Sequence, residues 1–278
     1  MNKTHTTIRK LGCGALLLVI LTTAISSKTA TSLAPEQADN EYQVGAVLWQ
    51  QASAESRALQ YQAYKLARLT LDRDLRLHRK SNLKRAVVVD VDETVLDNSR
   101  YQAELIVNRQ PFASASWIEW CNRAKASAIP GAVDFLKYAA TRGVRVFYVT
   151  NRRETEKAGT ITNLKQLGFP DVSDETVVVR TDVSSKEPRR QSIRRRYRIV
   201  LLFGDNLSDF SNAFEDKPPK ERTAVVEAAR EKFGTEFIVL PNPMYGDWES
   251  AIYGYDSRLN EQQKAAKRKA ALKTISSP

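Results

Sequence analysis

Ala86-Val-Val-Val-Asp90-Val-Asp92-Glu-Thr94 decides the fold: apolar residues without alternation, then two carboxylates set two apart. A continuous β-branched run of this kind suits a strand buried on both faces of a parallel sheet. Asp90 and Asp92 cannot both be core residues, because a buried, unpaired carboxylate is heavily penalised. They mark the end of the strand, which is where open α/β sheets bind their ligands. Two carboxylates there suit a divalent cation together with acid–base chemistry, since a hard ion such as Mg²⁺ takes oxygen ligands. Taken alone, the motif also admits a plainer role, with Asp92 or Thr94 capping a following turn or helix.

Outward from this stretch the same grammar repeats. Val144–Val149, Thr176–Val179, Ile199–Phe203 and Phe237–Leu240 are further short apolar runs. Helix-like segments at about 131–141, 154–167 and 187–197 separate them, the first opened by Pro130-Gly131. Strands alternating with helices predict a doubly wound α/β fold with a mainly parallel sheet. Residues 91–143 exceed a simple crossover, so about 101–128 reads as an inserted helical cap beside the site. Upstream, Val44, Val47, Leu48, Leu59, Tyr64, Leu66, Leu69 and Leu75 recur at helical spacing and predict two N-terminal helices.

With 278 residues, 42% hydrophobic and 27% charged, the chain is long and apolar enough for one substantial domain and is not disordered throughout. Residues 1–30 differ. Lys3, Arg9 and Lys10 precede an uncharged apolar run from Leu11 to Ile25, then small residues, the order of a secretory signal. That run is shorter than the roughly 20 residues a spanning helix needs, so export to the periplasm or cell surface is expected, with an uncleaved anchor as the alternative. Cys13 opens the apolar run instead of following it, which does not support a lipid anchor. The expected boundaries are then a polar linker at 31–40, one catalytic domain at 41–260 and a basic tail at 261–278. Without the leader only Cys121 remains, so core packing must hold the fold. The net charge of +11 falls to +7 on removing Lys3, Arg9, Lys10 and Lys28, there being no acid in residues 1–30. Lys186–Arg198 and Lys264–Lys273 hold much of the excess. It would attract phosphorylated substrates or, weakly, an anionic membrane surface, although a solvated helix face and a basic tail explain it as simply. No nucleic-acid polymer is expected as a partner, and the sequence is silent on oligomeric state.

The later strand ends add to the first. Thr150-Asn151-Arg152 offers a hydroxyl, an amide and a cation suited to phosphate oxygens. Gly204-Asp205-Asn206-Leu-Ser208-Asp209 offers two more carboxylates after a glycine that permits close backbone approach. Lys186 precedes that strand. Four acids, a threonine and a lysine at one end of one sheet have no comparable structural explanation.

In order, Asp90-Val-Asp92-Glu-Thr94, Thr150, Lys186 and Asp205…Asp209 resemble the four motifs of the haloacid-dehalogenase superfamily. Residues 91–99, 146–152, 204–210 and 240–248 further resemble the bacterial class C acid phosphatases, a likeness covering roughly residues 40–258. Chemistry and resemblance imply the same roles. Asp90 is the nucleophile that takes the phosphoryl group, and Asp92 is the general acid and then the base. Thr150, Asn151 and Lys186 bind phosphate, with Asp90, Asp92 (through its carbonyl), Asp205 and Asp209 around Mg²⁺. Low pH favours the protonated Asp92 that the first step needs. In that family Trp117 and Tyr245 match positions that sandwich a base, which implies nucleoside 5′-monophosphates, including nicotinamide mononucleotide, as substrates. Trp120, Trp248, Tyr253 and Tyr255 belong to the same aromatic clusters and suit packing. Transfer to an alcohol acceptor, or a non-catalytic binding protein on the same scaffold, are the alternatives. Histidine and cysteine phosphatase chemistries lack their parts, since His78 sits in a basic helix end and no phosphate loop follows Cys121.

Overall fold

The computed structural model describes residues 40–78 and 83–275; the expected leader at 1–30, Cys13 and the linker up to residue 39 lie outside them. Helix α1 (Val44–Ala52) and the long α2 (Ala54–Leu77) come first. Ser53 divides them: its extended backbone ends α1, and its hydroxyl accepts from the Ser56 N–H at 3.0 Å to cap α2. Next come β1 (Lys84–Val89), β2 (Leu96–Asp97), α3 (Ser99–Val107), α4 (Ser114–Arg123) and β3 (Ser127–Ala128). The chain continues through α5 (Ala132–Thr141), β4 (Arg145–Val149), α6 (Glu154–Gln166), β5 (Val177–Val178) and α7 (Glu187–Arg194). It closes with β6 (Tyr197–Gly204), α8 (Pro219–Ala228), β7 (Phe237–Val239), α9 (Asp247–Ile252) and α10 (Glu261–Ala271).

Five parallel strands form the main sheet in the order β5-β4-β1-β6-β7. The chain winds outward from β1 through β4 to β5, then returns to β6 on the other side of β1. That reversal creates the crevice beyond the strand ends where doubly wound sheets hold ligands. Val87, Val89, Leu201 and Phe203 enter one buried cluster with Tyr64, Leu71, Phe135 and Leu136. Ala86, Val88 and Leu202 enter a second with Ile193, Phe210, Phe214 and Phe237. Apolar contact on both faces is why the strand sequences do not alternate. The Tyr64 ring stacks on Phe203 at 5.7 Å and meets Phe135 at 5.9 Å, joining α2 and α5 to the first face.

The segment between β1 and α5 is helical, bracketed at its base by the antiparallel β2–β3 pair. It meets α6 at backbone distance: a Cβ on Gly159 would lie 2.4 Å from the Cys121 carbonyl oxygen, so only glycine fits there. Cys121 is buried at this contact, and burial pushes its thiol up to about 12, which suits packing and not nucleophilic chemistry.

Two expectations from the charge pattern need correction. The basic stretch 186–198 is only in part a solvated face: Arg194, Arg195 and Arg196 are exposed, but its other basic residues are not. Arg190 is wholly buried, and Arg198 donates to Asp74 at 2.6 Å. The expected basic tail forms helix α10, whose Arg268 guanidinium lies 3.6 Å from the Tyr42 ring centroid. Both follow from the amphipathic character of arginine, which lays its stem and planar head on apolar surface while its fork finds acceptors. Among the described residues, no helix is long and apolar enough to cross a membrane.

Candidate active site

Asp90 follows β1 directly, and its N–H donates to the Phe203 carbonyl at 3.0 Å, so the sheet ladder aims this residue. The chain then turns sharply. Glu93 adopts a left-handed φ of 54°, and the N–H groups of Val95 and Leu96 both donate to the Val91 carbonyl. Below the turn, the buried Glu93 carboxylate accepts from the Asn98 N–H at 2.8 Å, and Tyr64 Oη donates to the Thr94 carbonyl at 2.6 Å. These anchors make the 90–98 segment a fixed platform.

Around Asp90 stand the acids from the end of β6. Carboxylate oxygens of Asp90, Asp205 and Asp209 all lie within 4.8 Å of one another. Lys186 Nζ donates to Asp90, and to Asp209 at 2.6 Å. Gly204 is required here, because a Cβ would lie 2.3 Å from the Asp209 Cβ. The backbone N–H of Asn206 fixes Asp209 at 3.0 Å, while Asn242 donates to Asp205 at 2.8 Å. Burial, with Asp209 beside it, pushes the Asp205 carboxyl up to about 7, against the opposing pull of Asn242 and Lys186. Burial likewise raises Asp90 well above the carboxylate range, with Lys186 opposing and three neighbouring acids adding to it. For Lys186, burial lowers the ammonium but Asp209 and Asp90 outweigh it, so it stays protonated. Three carboxylates held close against one lysine form an all-oxygen, net negative set, which fits a hard divalent cation.

Asp92 is set apart from this trio. Its Oδ1 accepts from Arg152 Nε at 3.0 Å, Arg152 Nη2 at 2.7 Å and Asn98 Nδ2 at 2.9 Å. Thr150 Oγ1 lies 3.5 Å from its other oxygen. Arg152 is buried, its remaining fork reaching Thr160 at 3.0 Å and Asn98 at 3.3 Å. The sequence grouped Arg152 with the phosphate-binding residues, whereas the structure spends its guanidinium on Asp92. A buried cation needs a buried anion, and Asp92 is the acid within its reach. Trp120 is structural too: its Nε1 donates to Asn98 Oδ1 at 2.9 Å, completing the support under Asp92.

Thr150 and Asn151 leave β4 as expected, and Arg189 braces them. Its guanidinium donates to the Thr150 carbonyl at 2.5 Å and to Asn151 Oδ1 at 2.6 Å. Arg190, one residue on, donates to the carbonyls of Ser208 and Asp209 at 2.9 and 2.7 Å. Sequence reasoning did not pick out Asn98, Arg189, Arg190 or Asn242. Asn98 and Asn242 lie within the stretches 91–99 and 240–248 that carry the family resemblance, yet their roles, like those of Arg189 and Arg190, come from contacts across the fold.

These groups open on a cleft of about 610 Å³, a size suited to a small organic ligand. Asp90, Asp92, Asn151, Lys186, Asp205 and Asp209 line its polar end, and Trp117 and Tyr245 line it as well. Trp117 also packs against Tyr101 at 5.1 Å and Phe112 at 6.2 Å, and the Arg152 guanidinium lies 5.4 Å from its ring. Tyr253 and Tyr255 serve packing: the first donates to Glu249 and the second, at 3.1 Å, to the Lys217 carbonyl.

Comparison with known proteins gives a consistent picture. The family model for the haloacid-dehalogenase (HAD) superfamily, subfamily IIIB (acid phosphatase), matches residues 3–248. The chain is similar to the solved class C acid phosphatase of Bacillus anthracis, with 40% identity and a TM-score of 0.82 over 85% of this chain and 98% of that one. The structure of that enzyme with tungstate bound matches with the same figures. The chain is also 29% identical over 165 residues to acid phosphatase 1 of Solanum lycopersicum, a stretch covering 57% of each protein. It thus spans just over half the length of that plant relative.

Proposed function

The chain belongs to the acid phosphatases of haloacid-dehalogenase subfamily IIIB, and from that premise we propose that it hydrolyses small phosphomonoesters with Mg²⁺ through an aspartyl phosphate on Asp90. The observation that carries this reading is the division of the acids. Asp90 stands in a lysine-bridged trio, while Asp92, two residues on, is held apart by Arg152.

Asp90 attacks phosphorus in line and the bond to the alcohol oxygen breaks. Asp92 gives that oxygen a proton, then takes one from the water that releases phosphate from Asp90. Lys186, with the Thr150 hydroxyl and the Asn151 amide, neutralises the equatorial oxygens as charge builds on them. Asp90, Asp205, Asp209 and the Asp92 carbonyl would hold Mg²⁺, which would supply charge neutralisation between carboxylates and phosphate. Trp117 and Tyr245 line the same cleft, which supports a flat organic group and hence nucleoside 5′-monophosphates, nicotinamide mononucleotide among them. The leader-like residues 1–30 support action in the periplasm or at the cell surface.

Phosphate release at acidic pH from p-nitrophenyl phosphate and from nucleoside 5′-monophosphates, with Mg²⁺ or with EDTA, tests the reading. Turnover is expected with Mg²⁺ only and is abolished in Asp90→Asn. A folded, Mg²⁺-supplied wild type without turnover overturns it.

A further inference from the structure

The matched family stretch ends at residue 248, yet residues beyond it help to form the cleft. Glu261 and Lys264 of α10 line it together with Tyr42 and Gln43 from the opposite end of the described chain. No residue of α10 is buried, so no apolar face seats this helix. Arg268 holds it instead. Its guanidinium lies 3.6 Å from the Tyr42 ring centroid, donates to Tyr253 Oη at 2.6 Å and lies 3.7 Å from the Glu249 carboxylate. The Arg268 and Glu249 side chains are only 21% and 11% exposed, so this cluster is better shielded from water than a surface ion pair. Gln43 extends the tie by donating to the Met244 carbonyl at 3.1 Å, beside Tyr245.

We infer that Arg268 is a positioning residue for substrate selection, holding α10 and Tyr42 as a wall against the organic part of the ester. This rests on the phosphomonoesterase reading of the same cleft. The phosphate end is built from Asp90, Asn151, Lys186 and their neighbours, so the wall stands apart from the chemistry. Glu261 and Lys264, paired at 2.8 Å, present an acceptor and a donor side by side, which suits the polar edge of a flat ring. A nucleoside monophosphate can span a cleft of about 610 Å³ and meet this wall, whereas glycerol 2-phosphate fills only part of it.

The test compares the full chain with Arg268→Ala and with the double variant Glu261→Ala/Lys264→Ala, which leaves the Arg268 cluster intact. KM and kcat are measured for a nucleoside 5′-monophosphate and for glycerol 2-phosphate, alongside the melting temperature. In both variants KM for the nucleotide is expected to rise about tenfold with kcat little changed, the signature of lost ground-state contact. KM for glycerol 2-phosphate should stay within about twofold. Nucleotide and glycerol ester KM values that move together, or not at all, overturn the inference and leave the phosphatase reading intact. A wild type that turns over neither ester removes both.

Discussion

Arg152 shows how one side chain can divide a cluster of acids. Its guanidinium meets Asp92 through two nitrogens, and burial, which lowers its pKa, is outweighed by Asp92, which raises it and keeps the charge in place. The donor of a proton must stay within hydrogen-bond reach of the leaving oxygen, so the direction of Asp92 matters as much as its acidity. Arg152→Ala should therefore lower kcat by about a hundredfold with a small change in KM. Arg152→Lys should restore only part of that, because a lysine offers a point charge in place of a planar fork. Steady-state kinetics beside melting curves decide: wild-type kcat in a folded Arg152→Ala protein would mean that the clamp does not position Asp92. At this scale Asp90, Asp92, Asp205 and Asp209 were legible, since four acids at the ends of strands of one sheet have no comparable structural explanation, although one such pair alone could cap a turn. Asn98 and Arg190 were not, because an asparagine or arginine states nothing about its partner until the fold supplies one.

Helix α2 ends on a polar hub. Asp74 accepts from Arg85 at the start of β1 and from Arg198 at the start of β6, at 2.7 and 2.6 Å, and lies 3.0 Å from His78 Nδ1. Burial raises the Asp74 carboxyl, but Arg198 and Arg85 outweigh it and hold it below its ordinary value. One carboxylate thus fixes the helix against two neighbouring strands at the end of the sheet opposite the site. Asp74→Ala should destabilise the protein by about 2 kcal/mol by taking the carboxylate from both guanidinium groups, leaving Arg85 with the His78 carbonyl, read as a shift in denaturant midpoint. An unchanged midpoint would leave α2 held by its other contacts, among them Tyr64, Leu71 and the Thr70 hydroxyl on the Gly234 carbonyl at 2.9 Å. Strand and helix positions were readable because buried strands lack alternation and helices carry their own period. The docking of α10 was not, since its composition is that of a solvated tail and one of its anchors, Tyr42, lies at the other end of the described chain.

For the whole molecule, the acid cluster links stability to pH and to metal. Asp205 sits at about 7 in the fold against an ordinary 3.8. Below the lower value it is protonated both folded and unfolded, and its contribution to stability is fully present. As pH rises through the window up to the folded value, the unfolded chain gives up a proton that the fold retains, and that stability is lost. Buried Asp90, also raised, acts with the same sign. A cation bound by these carboxylates replaces the protons, so the rise in melting temperature on adding Mg²⁺ to EDTA-treated protein should grow from about pH 4 to about pH 7. Asp205→Asn should flatten that growth, and a metal increment independent of pH in the wild type would show that the cluster does not titrate this way. By itself the sequence determined the parallel sheet, its strand ends and the acids placed there, because burial on two faces and the cost of a buried charge act locally along the chain. Only the tertiary structure decided which acid is clamped, which arginines serve the site and what walls the cleft. Those pairings join residues such as Asp92 and Arg152, or Tyr42 and Arg268, that meet only when the sheet has closed.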